Sequence, residues 1–253
     1  GRDKTSGKSV VITTWQSIYK LPRSWFEPFD VVIGDEAHLF KSKSLVSIMT
    51  KMDNAKYRFG FTGTLDGSQT HKWVLEGLFG PSYKVTQTKD LIEKGHLSKL
   101  QIKVLLLKHD EHQFGEYEDE IQYIIGHEKR NKFIKNLTVD LKGNSLVLFN
   151  RVETHGEPIY NLINNSVEEG RQVFFVYGGV PAQERERVRE ITEKENNAII
   201  VASYGTFSTG INIKNLHNVI FASPSKSRVR NLQSIGRVLR KGDNKSQAVL
   251  YDI

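Results

Sequence analysis

Short apolar runs recur along the chain, separated by longer stretches in which apolar positions return every three or four residues. The runs at residues 10–13, 31–34, 57–62, 102–107, 145–149, 173–176, 198–202, 219–222 and 248–251 predict strands. Residues 44–52, 71–79, 121–141, 157–169, 181–195 and 229–239 predict helices. Most of the strand runs are continuously apolar, so both faces of each are expected to be covered. With helices between them, this is the pattern of an α/β fold built on parallel sheets. The pattern breaks in FGPSYKVTQTKDLIEKGHLSKL, residues 79–100, where Gly, Pro and polar residues intervene. That break divides the chain into a shorter unit at 1–85, a linker at 86–99 and a longer unit at 100–253.

Composition narrows the reading. A chain of 253 residues fits one large domain or two of ordinary size, and 38% hydrophobic and 10% aromatic residues suffice for real cores. Cysteine is absent, which excludes disulfides and cysteine-ligated zinc and suits a reducing interior. No apolar run has membrane-spanning length and the opening residues carry no apolar signal core, so a cytoplasmic protein is expected. Lys and Arg number 36 against 29 acids, a net charge of +7, the direction expected of a protein that meets a polyanion. Between residues 226 and 245 there are seven basic residues and one acid. By contrast PAQERERVREITEKE, residues 181–195, mixes both signs and reads as a solvated helix face.

The opening Gly7-Lys8-Ser9 reproduces the end of the phosphate loop G-x-x-x-x-G-K-[S/T], but the required first glycine is replaced by Arg2. A β-branched run follows where the loop would open a helix, so the segment reads as a polar surface loop. FDVVIGDEAHLF places Asp35 and Glu36 at the carboxyl end of a predicted strand, where open α/β sheets bind ligands. Two adjacent acids can divide metal holding from water activation, and they can equally close a strand in a turn. RFGFTGT ends a second strand in Thr62-Gly63-Thr64, a hydroxyl relay or a simple turn. ASYGTFSTGINI, residues 202–213, predicts a strand followed by a loop of small hydroxylated residues suited to phosphate and sugar contacts. In NLQSIGRVLRKG, helical spacing puts Gln233, Gly236, Arg237 and Arg240 on one face, where arginines can stabilise a transferring phosphoryl group.

The order DEAH, TGT, YGTFSTG and QSIGRVLR resembles the superfamily 2 helicases and translocases, whose paired RecA-like domains present these as motifs II, III, V and VI. VVITTWQS, residues 10–17, is similar to their motif Ib region, and LVLFNRVETHG, residues 146–156, to their motif IV. TTWQS, STGINIKNLH and QSIGRVLRKG resemble in particular phage recombination and repair helicases, which implies branched DNA as substrate and a host-cell location. The resemblance spans essentially the whole chain and implies two RecA-like domains, the first incomplete.

It further implies ATP and Mg²⁺ as nucleotide and cofactor, Asp35 as the metal partner and Glu36 as the residue that activates water. His38, Thr62 and Thr64 would couple nucleotide state to movement. Gln233, Gly210 and Asn212 would lie at the nucleotide, and Arg237 and Arg240 would reach across a cleft to the γ-phosphate. Thr13, Thr14, Trp15, Phe149, Asn150, Tyr177, Gly178, Ser208 and Thr209 would line a nucleic-acid track. Motif I of the family has no counterpart here, so a fragment or split product of a longer motor is expected, inactive by itself. The absent loop also admits a passive nucleic-acid-binding module, and RNA stands beside DNA as partner. A nuclease built on Asp30, Asp35 and Glu36 would leave the arginine segment unexplained. His109 and His112 are read as part of a polar stretch rather than a metal pair, and Trp25 and Trp73 as packing residues.

Overall fold

The computed structural model describes residues 8–65, 67–110, 112–210, 213–242 and 245–253. It divides into two compact units, Gly1–Val85 and Thr86–Ile253.

In the first unit β1 (Val31–Gly34) and β2 (Tyr57–Gly60) pair in parallel, in register from Val31 opposite Tyr57 to Gly34 opposite Gly60. Around them lie α1 (Trp15–Ile18), α2 (Lys43–Lys51) and α3 (Gln69–Phe79). Leu45, Ile48 and Met49 fall on one face of α2 and are buried with Phe26, Phe40, Met52 and Leu75. The Ser68 hydroxyl caps α3 by accepting from the His71 N–H, and Gly80 ends it at φ 92°. Gly34 and Gly60 finish the two strands because a Cβ at either would come within 3.0 Å of the Phe40 or Phe79 rings.

Three expectations in this unit need correction. Residues 10–13 are not a strand: the β-branched run finds no ladder partner among the described residues, and Ile12 is 96% exposed. Residues 61 and 62 lie beyond the end of β2. Trp73 is 63% exposed on α3 and is not a packing residue.

The second unit holds a six-stranded, all-parallel sheet in the order β3-β8-β7-β4-β6-β5. Its strands are β3 (Lys99–Val104), β4 (Ser145–Phe149), β5 (Val173–Val176), β6 (Ile199–Ser203), β7 (Asn218–Phe221) and β8 (Gln247–Asp252). The helices are α4 (Thr88–Glu93), α5 (Tyr117–Gly126), α6 (Glu128–Asp140), α7 (Glu157–Asn164), α8 (Ala182–Lys194), α9 (Tyr204–Gly210) and α10 (Arg228–Val238). All of β4 and β7 is buried, as the continuous apolar runs require of central parallel strands. One core cluster includes Leu146, Leu148, Ile200, Phe207 and Leu250, and the other Val147, Phe149, Ile159, Ile199 and Ile220.

The stretch at 86–99 lies within this unit and carries α4. Pairing with β8 starts β3 at Lys99, three residues before the apolar run suggested. The single helix expected over 121–141 is two, because His127 leaves the helical region at ψ 108° and its ring nitrogen accepts from the Arg130 N–H to start α6. The stretch after β6 is a helix rather than a loop. Ser203 Oγ accepts from the Thr206 N–H, and Tyr204 and Phe207, one turn apart, are buried in the core. Among the described residues no helix is long and apolar enough to cross a membrane.

Candidate functional site

In the first unit the site begins where β1 ends. Asp35 and Glu36 are both exposed, and Asp35 Oδ1 accepts from the Glu36 N–H at 2.9 Å. Glu36 is the one non-glycine residue at positive φ among the described residues, at φ 50°, ψ 49°. Such a conformation costs roughly 1–2 kcal/mol, and strain of this kind concentrates at functional sites. The turn is held because the Phe61 N–H donates to Gly34 O at 2.9 Å and the Ala37 N–H to Phe61 O at 2.8 Å. The backbone of one motif is thereby bonded to the other.

Side chains repeat that connection. His38, buried, places Nδ1 at 3.0 Å from Thr62 Oγ1 and 3.2 Å from Glu36 Oε2. The Thr62 hydroxyl donates to Thr64 O at 2.9 Å, so its oxygen is left to accept and His38 Nδ1 carries the proton. The same nitrogen lies close to the Glu36 carboxylate, at ion-pair distance. Asp35, Glu36, His38, Thr62 and Thr64, read from two separate motifs, are thus brought to one place.

Elsewhere in this unit Thr13 and Thr14 are exposed before α1, with Thr14 Oγ1 at 3.1 Å from Ser17 Oγ. Trp15 is half-buried, packed edge-on to Tyr19 against the core.

In the second unit the carboxyl ends of β4 and β7 meet in a polar network that spacing alone did not point to. His155, fully buried, shares a 2.7 Å hydrogen bond between Nδ1 and Ser223 Oγ. Burial, reinforced by Arg130, pushes its pKa down to about 3, so the ring is neutral. The Arg130 guanidinium, itself buried, donates to Ala222 O at 2.7 Å and Ile253 O at 2.9 Å, and burial lowers its pKa to about 10. Tyr204 OH donates to Ser223 O at 3.3 Å, and burial raises its pKa.

Asn150 lies on the surface directly after β4. Its N–H donates to Ser223 Oγ, its amide nitrogen to Pro224 O at 2.8 Å, and its amide oxygen accepts from Arg230 at 3.2 Å. Phe149 needs correction: its side chain is fully buried and stacked on Phe175 at 5.5 Å, so it cannot stack on a base. A strand-final aromatic in a central strand points into the core. Tyr177 is half-buried against Phe175, and its ring covers Gly179 beside exposed Gly178.

Gln233, Gly236 and Arg237 lie on α10, whereas Arg240 does not share their helical face. The helix ends at Val238, and Arg240 pairs with Leu97 in an antiparallel bridge. The end is set by Lys245, whose buried ammonium donates to Val238 O, Lys214 O and Arg240 O, and whose pKa burial lowers to about 8. Ser208, Thr209 and Gly210 belong to α9 by backbone. Asn212 lies outside the described residues.

Among the described residues no group of three His, Cys, Asp or Glu side chains is arranged to hold a metal. Mg²⁺ in nucleotide sites takes only one or two carboxylates, the remaining ligands being phosphate oxygens and water. The exposed carboxylates of Asp35 and Glu36 fit that donor set. His109 instead stacks edge-on to His127 with a nitrogen contact of 3.3 Å. His127 accepts at Nδ1, so its Nε2–H donates to His109 and offers no lone pair to a metal.

Residues 1–67 match the family described as type III restriction enzyme, res subunit, and residues 128–242 the helicase conserved C-terminal domain. The ATP-dependent DNA helicase UvsW of Enterobacteria phage T4 is 37% identical over 252 residues, 96% of this chain and 49% of that protein. Its crystal structure superposes with a TM-score of 0.50 at 36% identity, over 94% of this chain and 47% of that one. The helicase/translocase subunit XPB of Schizosaccharomyces pombe is 25% identical over 236 residues, 88% of this chain and 28% of that protein. A fragment of a putative type I restriction HsdR subunit from Vibrio vulnificus YJ016 shares the fold, with a TM-score of 0.68 at 18% identity over 94% of this chain and 45% of that one. The chain spans about half the length of the phage helicase and less than a third of XPB. With the motifs in order, two matching families and these relatives, the chain belongs to the superfamily 2 helicases.

Proposed function

We propose that this chain belongs to the motor core of an ATP-driven DNA helicase or translocase acting on branched DNA. The carrying observation is that His38 Nδ1 bonds the Thr62 hydroxyl at 3.0 Å while lying 3.2 Å from the Glu36 carboxylate, which brings the acidic pair of one motif to the hydroxyls of the next. A passive binding module has no use for a strained acidic residue wired in this way. The similarity to a DNA helicase supports DNA as the substrate, and branched DNA follows from the resemblance of the motifs to phage recombination and repair helicases.

In this reading Asp35 and Glu36 lie at the reacting phosphates. Asp35 holds Mg²⁺, whose charge neutralises the phosphate oxygens when bound. The Glu36 carboxylate orients the attacking water and takes its proton, and the left-handed turn sets its direction. Arg237 and Arg240 stabilise the charge on the transferring phosphoryl group, with Gln233, Gly210 and Asn212 contributing to nucleotide binding. Loss of the γ-phosphate changes what Glu36 bonds, and His38 passes that change to Thr62 and Thr64. Thr13, Thr14, Trp15, Tyr177, Gly178, Ser208 and Thr209 supply contacts to the nucleic-acid backbone, which suit a motor because they are indifferent to sequence.

The test is Glu36→Gln in the full-length protein. DNA-stimulated hydrolysis should fall by about 10³-fold or more while ATP binding stays within about threefold, since shape and metal contact are kept. Hydrolysis near the original rate would remove Glu36 from its role.

A further inference from the structure

The connector from β7 to α10 carries the helix on which Arg237 lies, and it runs from buried Ala222 and Ser223 to exposed Lys226 and Ser227. Four consecutive carbonyls each accept from a side chain: Ala222 from Arg130, Ser223 from Tyr204, Pro224 from Asn150 and Ser225 from Asn231. The distances run from 2.7 to 3.3 Å. The Ala222 and Ser223 N–H groups are tied to Leu148 O, and Ser227 Oγ caps α10 by accepting from the Arg230 N–H. Ala222 and Ser223 are buried, where a carbonyl must find a protein partner, whereas Pro224 and Ser225 are only half-buried and within reach of water, so the Asn150 and Asn231 donors act to fix position.

Of the four donors, Arg130 and Tyr204 come from the buried layer of the fold and Asn231 from α10 itself; Asn150 is the exposed one, at the end of β4. Asn150 also reaches α10 directly through Arg230. Both ends of its amide are therefore committed to the connector and the helix, and neither is directed by the fold toward a ligand.

We propose that Asn150 is a positioning residue: it clamps the β7–α10 connector and the first turn of α10 to the end of β4, and so sets where Arg237 is held. This rests on the hydrolytic reading above. It replaces a direct contact with nucleic acid, the role expected of Asn150 from its motif.

The experiment compares Asn150→Ala, Arg237→Ala and the double variant in the full-length protein. It measures ATP hydrolysis at saturating DNA, DNA affinity across salt, and hydrogen exchange of the amides at 223–230. Misplacing a catalytic group by about 1 Å can cost about 10²-fold, so Asn150→Ala should lower kcat by about 10- to 10²-fold. DNA affinity and its salt slope should stay within about twofold of the parent. In the double variant the loss should be no larger than in Arg237→Ala, because the clamp acts through that arginine. Exchange at 223–230 should accelerate in Asn150→Ala.

An unchanged kcat, additive losses, or a fall in affinity and salt slope at constant kcat would each overturn the proposal. Arg237→Ala without loss of hydrolysis would instead overturn the hydrolytic reading, and the exchange measurement would still decide whether Asn150 clamps the connector. Should Asn150→Ala fail to fold, Arg230→Ala removes the α10 side of the clamp from an exposed position and is read by the same three measurements.

Discussion

The carboxyl ends of the two sheets hold opposite kinds of polar chemistry. At the end of β1 the carboxylates of Asp35 and Glu36 are in water, Glu36 sits in a strained left-handed turn, and one buried imidazole ties them to the next motif. At the ends of β4 and β7 the polar groups are buried around Ser223, with a neutral histidine and an arginine spent on backbone carbonyls. The first arrangement leaves charge available to a ligand. The second uses polar groups to hold backbone in place. An α/β fold presents both kinds of site at strand ends, and burial decides which one a given cluster becomes.

The largest effect is expected at neither strand end but at Arg240, just beyond α10 in the second unit. Arg240→Ala should lower DNA-stimulated hydrolysis by about 10³-fold or more while DNA affinity falls only slightly, as measured side by side across salt. A large loss of affinity with hydrolysis per bound complex unchanged would assign Arg240 to the nucleic acid. Next in size is the core. Leu148→Ala, in fully buried β4, should cost about 2–5 kcal/mol in denaturant unfolding, whereas Ile33→Ala, in β1 and 66% exposed, should cost less than about 1 kcal/mol.

Acid should distinguish the two clusters as well. His155 has a folded pKa of about 3, below the unfolded value of about 6.5, so the unfolded state binds the extra proton between them. Its contribution is complete above about pH 6.5 and is lost as pH falls toward 3, at up to about 1.4 kcal/mol per pH unit. His155→Gln should flatten that part of the stability profile relative to the parent. The smallest effect is at the strained turn. Glu36→Gly relieves the left-handed penalty but adds chain entropy, so stability should change by less than about 1 kcal/mol while hydrolysis disappears. A clear loss of stability would mean that the Glu36 side chain supports the fold.

The residues at the exposed end were legible because each motif keeps its chemistry within a few positions. Asp35 and Glu36 are adjacent, His38 is one turn on, and Thr62 and Thr64 flank a glycine. The buried end offered no such signal. Arg130 and Ala222 are 92 residues apart, and His155 and Ser223 are 68 apart. No local spacing relates them, and a lone buried His or Arg has the same appearance in sequence as an exposed one. Phe149 shows the complementary failure. Its place in a motif suggested contact with a ligand, but its place in a central strand put it in the core.

What the chain determines by itself is the alternation of strands and helices, the parallel class of the second sheet and the identity of its motifs. These depend on local periodicity and on residue types a few positions apart. Tertiary structure decided the rest. It left residues 10–13 without a ladder partner among the described residues, turned 204–210 into a helix, ended α10 before Arg240 and committed both ends of the Asn150 amide. Each of these is set by a partner distant in sequence. A strand requires a neighbour to bond, a helix end requires a group such as Lys245 to receive its carbonyls, and a buried polar atom requires a partner that only the folded chain supplies.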